Sequence, residues 1–267
     1  MRVPEHGASG PWMAVLHGGP AAVGNAAPIA RGLADIFRVL EPWQRGSGSE
    51  PLTVARHVSD LDDVVTARCS PARPALVGES WGAMLALAYA AEHPDAVGPI
   101  VLIGCGTFDT GARAQLRRTL GQRRTAEMDE EIAAIEADVA NLDERSQRLY
   151  AVTRPLYDYA PLPDGPPDPE VAPFDMRAHT ETWDDMLRRQ QDGTYPAAFA
   201  RIASPVLMLH GDYDPHPGPM IRDGLLPHIP HIEYHELTRC GHSPWNEALA
   251  RDEFFRALRT WLLCRTG

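Results

Sequence analysis

A serine with a glycine two residues to either side, Gly78-Glu79-Ser80-Trp81-Gly82, constrains this chain more than any other segment. It follows a short apolar run, Pro74-Ala75-Leu76-Val77, and opens an Ala/Leu-rich stretch at 83–93. The first run reads as a buried strand and the second as a helix, so the pentapeptide is the turn between them. In so sharp a turn a Cβ at position 78 or 82 would meet neighbouring backbone, hence the two glycines. The same geometry pushes the Ser80 hydroxyl clear of the main chain at a helix N-terminus.

Other segments break in the same manner. Trp12-Met13-Ala14-Val15-Leu16 runs into His17-Gly18-Gly19-Pro20, and Pro205-Val206-Leu207-Met208-Leu209-His210 runs into Gly211-Asp212-Tyr213-Asp214. Cys240-Gly241-His242 follows a last apolar run. Each chemical group therefore lies past the C-terminal end of a predicted strand, the edge where open α/β sheets gather their sites. Strands are predicted at 12–16, 37–40, 75–77, 99–103, 206–209 and 232–237. Helices are predicted at 25–35, with Pro28 in the first turn, at 53–67, with Thr53 as N-cap, at 83–92 and at 246–263. Strands alternating with helices predict an α/β fold with a mostly parallel, doubly wound sheet.

Residues 107–200 break that rhythm. They hold no convincing strand, an acidic run at 127–136 and a proline cluster from Pro155 to Pro173. Helices are predicted at 113–124, 129–142, 145–150 and 176–191, around a structureless turn. The acidic run reads as a solvated helix face. The chain thus divides into a core part at 1–106, a helical lid at 107–200 and a second core part at 201–267.

Bulk properties exclude several functions. A formal net charge of −11 repels nucleic acid and anionic membranes, so neither is expected as a partner. All 25 basic residues are arginine. Without lysine, P-loop phosphate binding and Schiff-base chemistry have no amine to use. The first residues carry no apolar signal segment, and no apolar run approaches the roughly 18 residues of a membrane span. Cys69, Cys105, Cys240 and Cys264 lack metal or redox spacing, which fits reduced thiols in the cytoplasm.

Ser80 is the candidate nucleophile. Its hydroxyl needs a base within hydrogen-bond reach, and His242 supplies one. The acid that orients the imidazole is Asp212 or Asp214, which point differently on one turn; Asp109 is a distant third. The N–H of Trp81, the residue after the nucleophile, is one candidate oxyanion donor. His17 is expected to brace its loop. His210, Asp212, Asp214 and His216 alternate, with His228, His231 and His235 beyond them, in a spacing that imitates metal ligands. Pro215, Pro217, Pro227 and Pro230 break any common face, so neither a metal nor another cofactor is expected.

Taken together, these residues resemble the α/β-hydrolase superfamily, and more narrowly its proline iminopeptidase-like branch. His17-Gly18-Gly19-Pro20 is similar to the start of that branch's HGGPG signature. Gly78-Glu79-Ser80-Trp81-Gly82 resembles its G-x-S-W-G elbow, Gly211-Asp212-Tyr213-Asp214 its G-x-x-D turn, and Gly241-His242 its terminal histidine. The likeness covers about two thirds of the chain and implies the order serine, acid, histidine, with Asp214 as the acid and Gly19 as the second oxyanion donor. Two departures stand out. Ala21 replaces the signature's last glycine, and eleven residues precede the first strong strand, which implies about six strands plus an N-terminal remnant.

The function expected is a serine hydrolase cleaving a carboxylic ester or small amide of a small molecule, with Trp183, Tyr157, Tyr159 and Met186 lining the lid side. An aminopeptidase would use the same triad with a lid carboxylate for the substrate ammonium, drawn from Glu181, Asp184 and Asp185. A cofactor-free C–C hydrolase or perhydrolase is a further alternative. A non-catalytic receptor is disfavoured by the full set of triad residue types. Dehalogenase and epoxide hydrolase chemistry would require an aspartate at position 80. The sequence leaves the oligomeric state open.

Overall fold

The computed structural model describes residues 1–163, 171 and 173–266. Part of the proline-rich turn, at 164–170 and 172, lies outside the described residues. The strands are β1 (Glu5–His6), β2 (Trp12–Leu16), β3 (Arg38–Leu40), β4 (Ala75–Glu79), β5 (Ile100–Ile103), β6 (Val206–Gly211) and β7 (Ile232–Leu237). They form one seven-stranded sheet in the order β1-β3-β2-β4-β5-β6-β7. All neighbours are parallel except β1, which pairs antiparallel with β3 through Glu5↔Leu40 and His6↔Val39. The six-strand expectation therefore gains one edge strand, and the N-terminal remnant is that two-residue β1.

Helices α1 (Ala27–Leu33), α2 (Val54–Cys69), α3 (Trp81–Glu92), α4 (Thr110–Arg123), α5 (Ala126–Asp138), α6 (Leu142–Thr153), α7 (Met176–Gln191), α8 (Gly218–Leu225) and α9 (Arg251–Thr266) complete the described architecture. Successive strand residues point to opposite faces, which divides the core in two. Leu16, Leu76 and Leu102 pack with Val58 and Leu61 of α2 and with α3, which is buried from Trp81 to Ala91. Val15, Val77 and Val101 pack on the other face with Leu33 of α1 and Phe254 and Leu258 of α9.

Side-chain caps start five of these helices, α2 and α7 close to where the sequence predicts and α4 to α6 three residues earlier. Thr53 accepts the Arg56 N–H at 3.2 Å to begin α2, and Asp109, Thr125, Asn141 and Asp175 cap α4 to α7 in the same way. Two expectations are corrected. The last helix begins at Arg251 rather than 246, because residues 244–246 form a 3₁₀ turn and the Glu247 carboxylate is drawn into the neighbouring loop. The eight-residue α8 is absent from the prediction, since Gly218, Pro219 and Gly224 are poor helix formers; burial of Ile221 and Leu225 holds it.

Between β5 and β6 the insertion carries α4 to α7. The first three of these helices bury few side chains, whereas α7 buries Ala178, Thr182, Asp185 and Met186. It docks on α2: Asp185 accepts the Val54 N–H at 2.9 Å, and Thr182 meets His57 Nε2 at 2.9 Å.

The tightness of the serine turn is testable. A Cβ on Gly82 would overlap the carbonyl oxygens of Leu16 and His17, whereas one on Gly121 of α4 would meet nothing. Gly82→Ala is expected to destabilise the protein by about 1–3 kcal/mol. Gly121→Ala should stabilise it by about 0.5–1 kcal/mol, as for an exposed helix glycine. Urea unfolding of the two variants beside wild type checks both signs.

Candidate active site

Ser80 closes β4 and caps α3 with φ 53° and ψ −113°. A left-handed conformation is costly for a residue with a Cβ, on the order of 1–3 kcal/mol, and persists only where the surroundings impose it. Here the Ser80 N–H donates to the Ile103 carbonyl at 2.8 Å, and the Ser80 carbonyl accepts the Ala83 N–H at 3.1 Å. A Cβ on Gly78 would overlap the Gly82 carbonyl, so the turn admits neither larger residue.

Of the two aspartates that the sequence leaves open, Asp214 touches the histidine. Its Oδ2 accepts the His242 Nδ1–H at 2.7 Å. Its Oδ1 accepts both the backbone N–H and the Nδ1–H of His216, each at 2.9 Å. His210 Nε2 lies 3.3 Å from Oδ2 while donating to the His216 carbonyl at 2.9 Å. Asp212 is exposed and accepts the Cys240 N–H at 3.1 Å. Asp109 caps α4 through the Ala112 N–H.

Burial alone would raise the Asp214 pKa, but His242, His216 and His210 hold it well below the usual carboxylate range. Burial likewise acts to lower the His242 pKa, and Asp214 overcomes it, with Glu79 and Asp158 adding to the pull, so His242 sits at about 9. Glu79, the elbow residue before the serine, is buried with Oε1 3.9 Å from His242 Nε2, and its Oε2 has no hydrogen-bond partner. Burial raises its pKa as well. The sequence shows Glu79 only as the variable letter of a motif, with no signal that it faces the histidine.

The insertion reaches the histidine loop directly. The His242 N–H donates to the Tyr157 carbonyl at 2.9 Å, and the Tyr157 ring meets the imidazole edge-on at 5.8 Å. The buried Glu247 carboxylate gathers the Gly241, Tyr159 and Ala160 N–H groups at 2.9, 2.8 and 2.6 Å. Arg123 of α4 donates to the Leu156 and Tyr213 carbonyls at 2.6 and 2.7 Å. Sequence reading misses Glu247, two of whose three partners lie more than 80 positions away.

Gly19 and Trp81 each lie three residues beyond the paired positions Leu16 and Gly78 of the neighbouring strands β2 and β4. Among the described residues neither N–H takes part in the backbone bonds that hold its turn. Gly19 has φ 111°, open to glycine, and Ala21 holds φ 73° where the resembling signature has glycine. His17 braces this loop: Nδ1–H donates to the Gly18 carbonyl at 2.9 Å, and Nε2 accepts the Gln44 N–H at 3.1 Å. Burial lowers its pKa to about 4, which keeps it neutral. Gln44, unremarked in the sequence, ties the loop to the elbow by accepting the Trp81 indole N–H at 2.7 Å and donating to the His17 carbonyl at 3.0 Å.

The lid-side candidates separate. Tyr157 is at the histidine. Tyr159 is exposed and packs edge-on against Tyr213. Met186 is fully buried and Trp183 partly so, both packed into the core beside α3. That packing corrects the expectation for Met186, which has no surface left for a substrate. Glu181 accepts the Leu52 N–H and pairs with Arg177, while Asp185 pairs with Arg188 and Arg189; Asp184 is exposed. His179 of α7, which the sequence did not mark, meets the Pro20 carbonyl at 3.1 Å and so places α7 over the Gly19 loop.

Asp214, His216 and His242 also offer ligand-type atoms within 4.8 Å of one another. Both Asp214 oxygens already accept ring N–H groups, so hydrogen bonding accounts for the cluster. No described helix is long and apolar enough to cross a membrane.

Residues 11–244 match the sequence profile of the α/β hydrolase fold family. Over 212 residues the chain is 30% identical to a probable proline iminopeptidase of Streptomyces coelicolor, covering 71% of this chain and 61% of that one. Over 98 residues it is 39% identical to the proline iminopeptidase of Neisseria gonorrhoeae, covering 33% of this chain and 31% of that one. The chain therefore matches between about a third and three fifths of the length of these curated relatives. A thermophilic esterase of Thermogutta terrifontis shares the fold with a TM-score of 0.65 and 19% identity, over 100% of this chain and 94% of that one. The chain belongs to the α/β hydrolase fold family, with a sequence that is proline iminopeptidase-like.

Proposed function

We propose that the chain is a serine hydrolase that cleaves carboxylic esters or small amides through an acyl-enzyme. The observation that carries this reading is the 2.7 Å bond from His242 Nδ1 to the buried Asp214, at the same sheet edge as the strained Ser80. With Nδ1 held as donor, Nε2 is left to take the Ser80 proton. Ser80 Oγ then bonds to the acyl carbon, and the bond to the leaving group breaks as His242 returns the proton to it. Water repeats the sequence and frees the acid and Ser80. The N–H groups of Gly19 and Trp81 stabilise the oxyanion, each worth a few kcal/mol in such a site.

The substrate is a small molecule received under the insertion, with Tyr157 on its lid side; no cofactor, nucleic acid or membrane is required. Residues 107–200 act as the lid. The free cysteines, three of them buried, support a reducing, cytoplasmic setting. The sequence likeness to proline iminopeptidases supports a second reading, an aminopeptidase. That reading needs a carboxylate free to hold the substrate ammonium. Glu181 and Asp185 are engaged by arginines and by main-chain N–H groups at and just before the start of α2, which leaves the exposed Asp184 alone of the three lid carboxylates for that role and favours the ester reading.

A fluorophosphonate should add once to the protein, by intact mass, and not at all to Ser80→Ala; labelling that persists in that variant points to another nucleophile. Asp214→Asn should cut kcat by about 10³–10⁴, because the wrong imidazole tautomer is favoured. Asp212→Asn should keep most of the activity in the same steady-state assay. Short acyl nitrophenyl esters should turn over faster than any aminoacyl anilide. If instead aminoacyl anilides are preferred and N-acetylation abolishes their turnover, the aminopeptidase reading replaces the ester one.

A further inference from the structure

An acid that orients a catalytic histidine needs one imidazole, and Asp214 holds two. His242 Nδ1–H takes Oδ2 at 2.7 Å and His216 Nδ1–H takes Oδ1 at 2.9 Å. The two rings stack at 4.6 Å with 23° between their planes. His216 is locked there from both ends of its peptide unit. Its backbone N–H shares Oδ1, and its carbonyl accepts the His210 Nε2–H at 2.9 Å. The Tyr157 ring lies against both imidazoles, at 5.8 and 6.1 Å. The backbone N–H already satisfies Oδ1, so the second ring is not needed to orient the acid.

We propose that His216 is a positioning residue for His242, dividing the Asp214 charge between two stacked imidazoles so that a larger share of His242 is neutral, the form that acts as a base. The proposal rests on the reading of His242 as the base. Its sign is the same in either protonation state of His216. A neutral His216 donates to Oδ1 and draws negative charge away from Oδ2. A charged His216 repels an imidazolium 4.6 Å away. Both favour neutral His242, the form that accepts a proton from Ser80.

This opposes the other groups around His242. Glu79 from the end of β4 lies 3.9 Å from Nε2 and favours the charged ring, as does Asp158 of the insertion. Tyr157 of the insertion faces it as a neutral phenol, raised to about 12 by burial. Cys105 after β5 and Cys240 in the histidine loop are raised by burial and stay neutral thiols. Glu247 in the same loop spends its oxygens on backbone N–H groups. His210 is pressed against Asp214 and kept neutral by burial. Among these neighbours His216 is the side chain placed to offset the carboxylates.

The test is an NMR titration of the full chain carrying isotope-labelled histidine, with His242 assigned from His242→Gln. His216→Phe keeps a ring in the stack and loses the donor. His216→Asn loses the ring and keeps an N–H where Nδ1 stood. His216→Phe should move the His242 midpoint up by roughly one pH unit, and the acid limb of kcat/KM should move with it. His216→Asn should leave both where they are in wild type. An unmoved or lowered midpoint in His216→Phe overturns the proposal, and so does an equal rise in both variants, which would assign the effect to the stack alone. Should His216→Phe fail to fold, His216→Ala removes the same donor and carries the same expectation. The titration needs no turnover, so loss of the triad reading, seen as full activity in Ser80→Ala, is read separately.

Discussion

A single buried negative charge organises this end of the molecule. Asp214 lies at the mouth of the sheet with its side chain out of water, where an isolated carboxylate would be costly and would take up a proton. It stays ionised because imidazole and backbone N–H groups converge on it. That requirement dictates the surroundings: the loop after β6 must turn back within two residues to bring in His216, and the loop after β7 must deliver His242 to the other oxygen. His210, the penultimate residue of β6, is drawn in by the same charge. Much of the local conformation can be understood as the neutralisation of one carboxylate.

The insertion is joined to this centre by main-chain contacts more than by apolar packing. Tyr157 holds the His242 N–H, Glu247 binds two backbone N–H groups across the junction and one in its own loop, and Arg123 grips the carbonyls of Leu156 and Tyr213. Helices α4 to α6 bury little, whereas α7 is anchored on α2 and over the Gly19 loop. A segment with few buried apolar contacts opens at lower free energy than the core does. The histidine loop and the Tyr157–Ala160 segment are nevertheless tied to each other by these main-chain bonds.

The oxyanion side rests on a different chain of contacts. His17, neutral and fully buried, links its own loop to Gln44, and Gln44 links on to Trp81. The turn after β2 and the elbow after β4 are thus held together by a side chain from neither. Ala21 sits at φ 73° in this loop, a conformation glycine adopts more readily. The loop is held by its hydrogen bonds despite that residue.

The architecture was legible because it depends on short-range physics. Apolar runs of strand length, glycines where the turn at Ser80 excludes a Cβ, and the capping residue Thr53 all act within a few residues of one another, and a sequence displays such relations directly. The serine, the histidine and the pair of aspartates at the strand ends were visible for the same reason. Choosing Asp214 over Asp212 needed the family's spacing or the fold, since the two differ only in which way the turn points them. Glu79 against His242, Glu247 beneath the insertion, Gln44 between two loops and His216 beside His242 were decided by tertiary structure alone. Each is an ordinary polar residue whose role comes from groups brought to it by the sheet order, and a buried charge or hydrogen bond acquires its meaning from partners that local sequence does not contain. The helix at Gly218–Leu225 belongs with them: its residues disfavour helix, and only the burial of Ile221 and Leu225 makes it one.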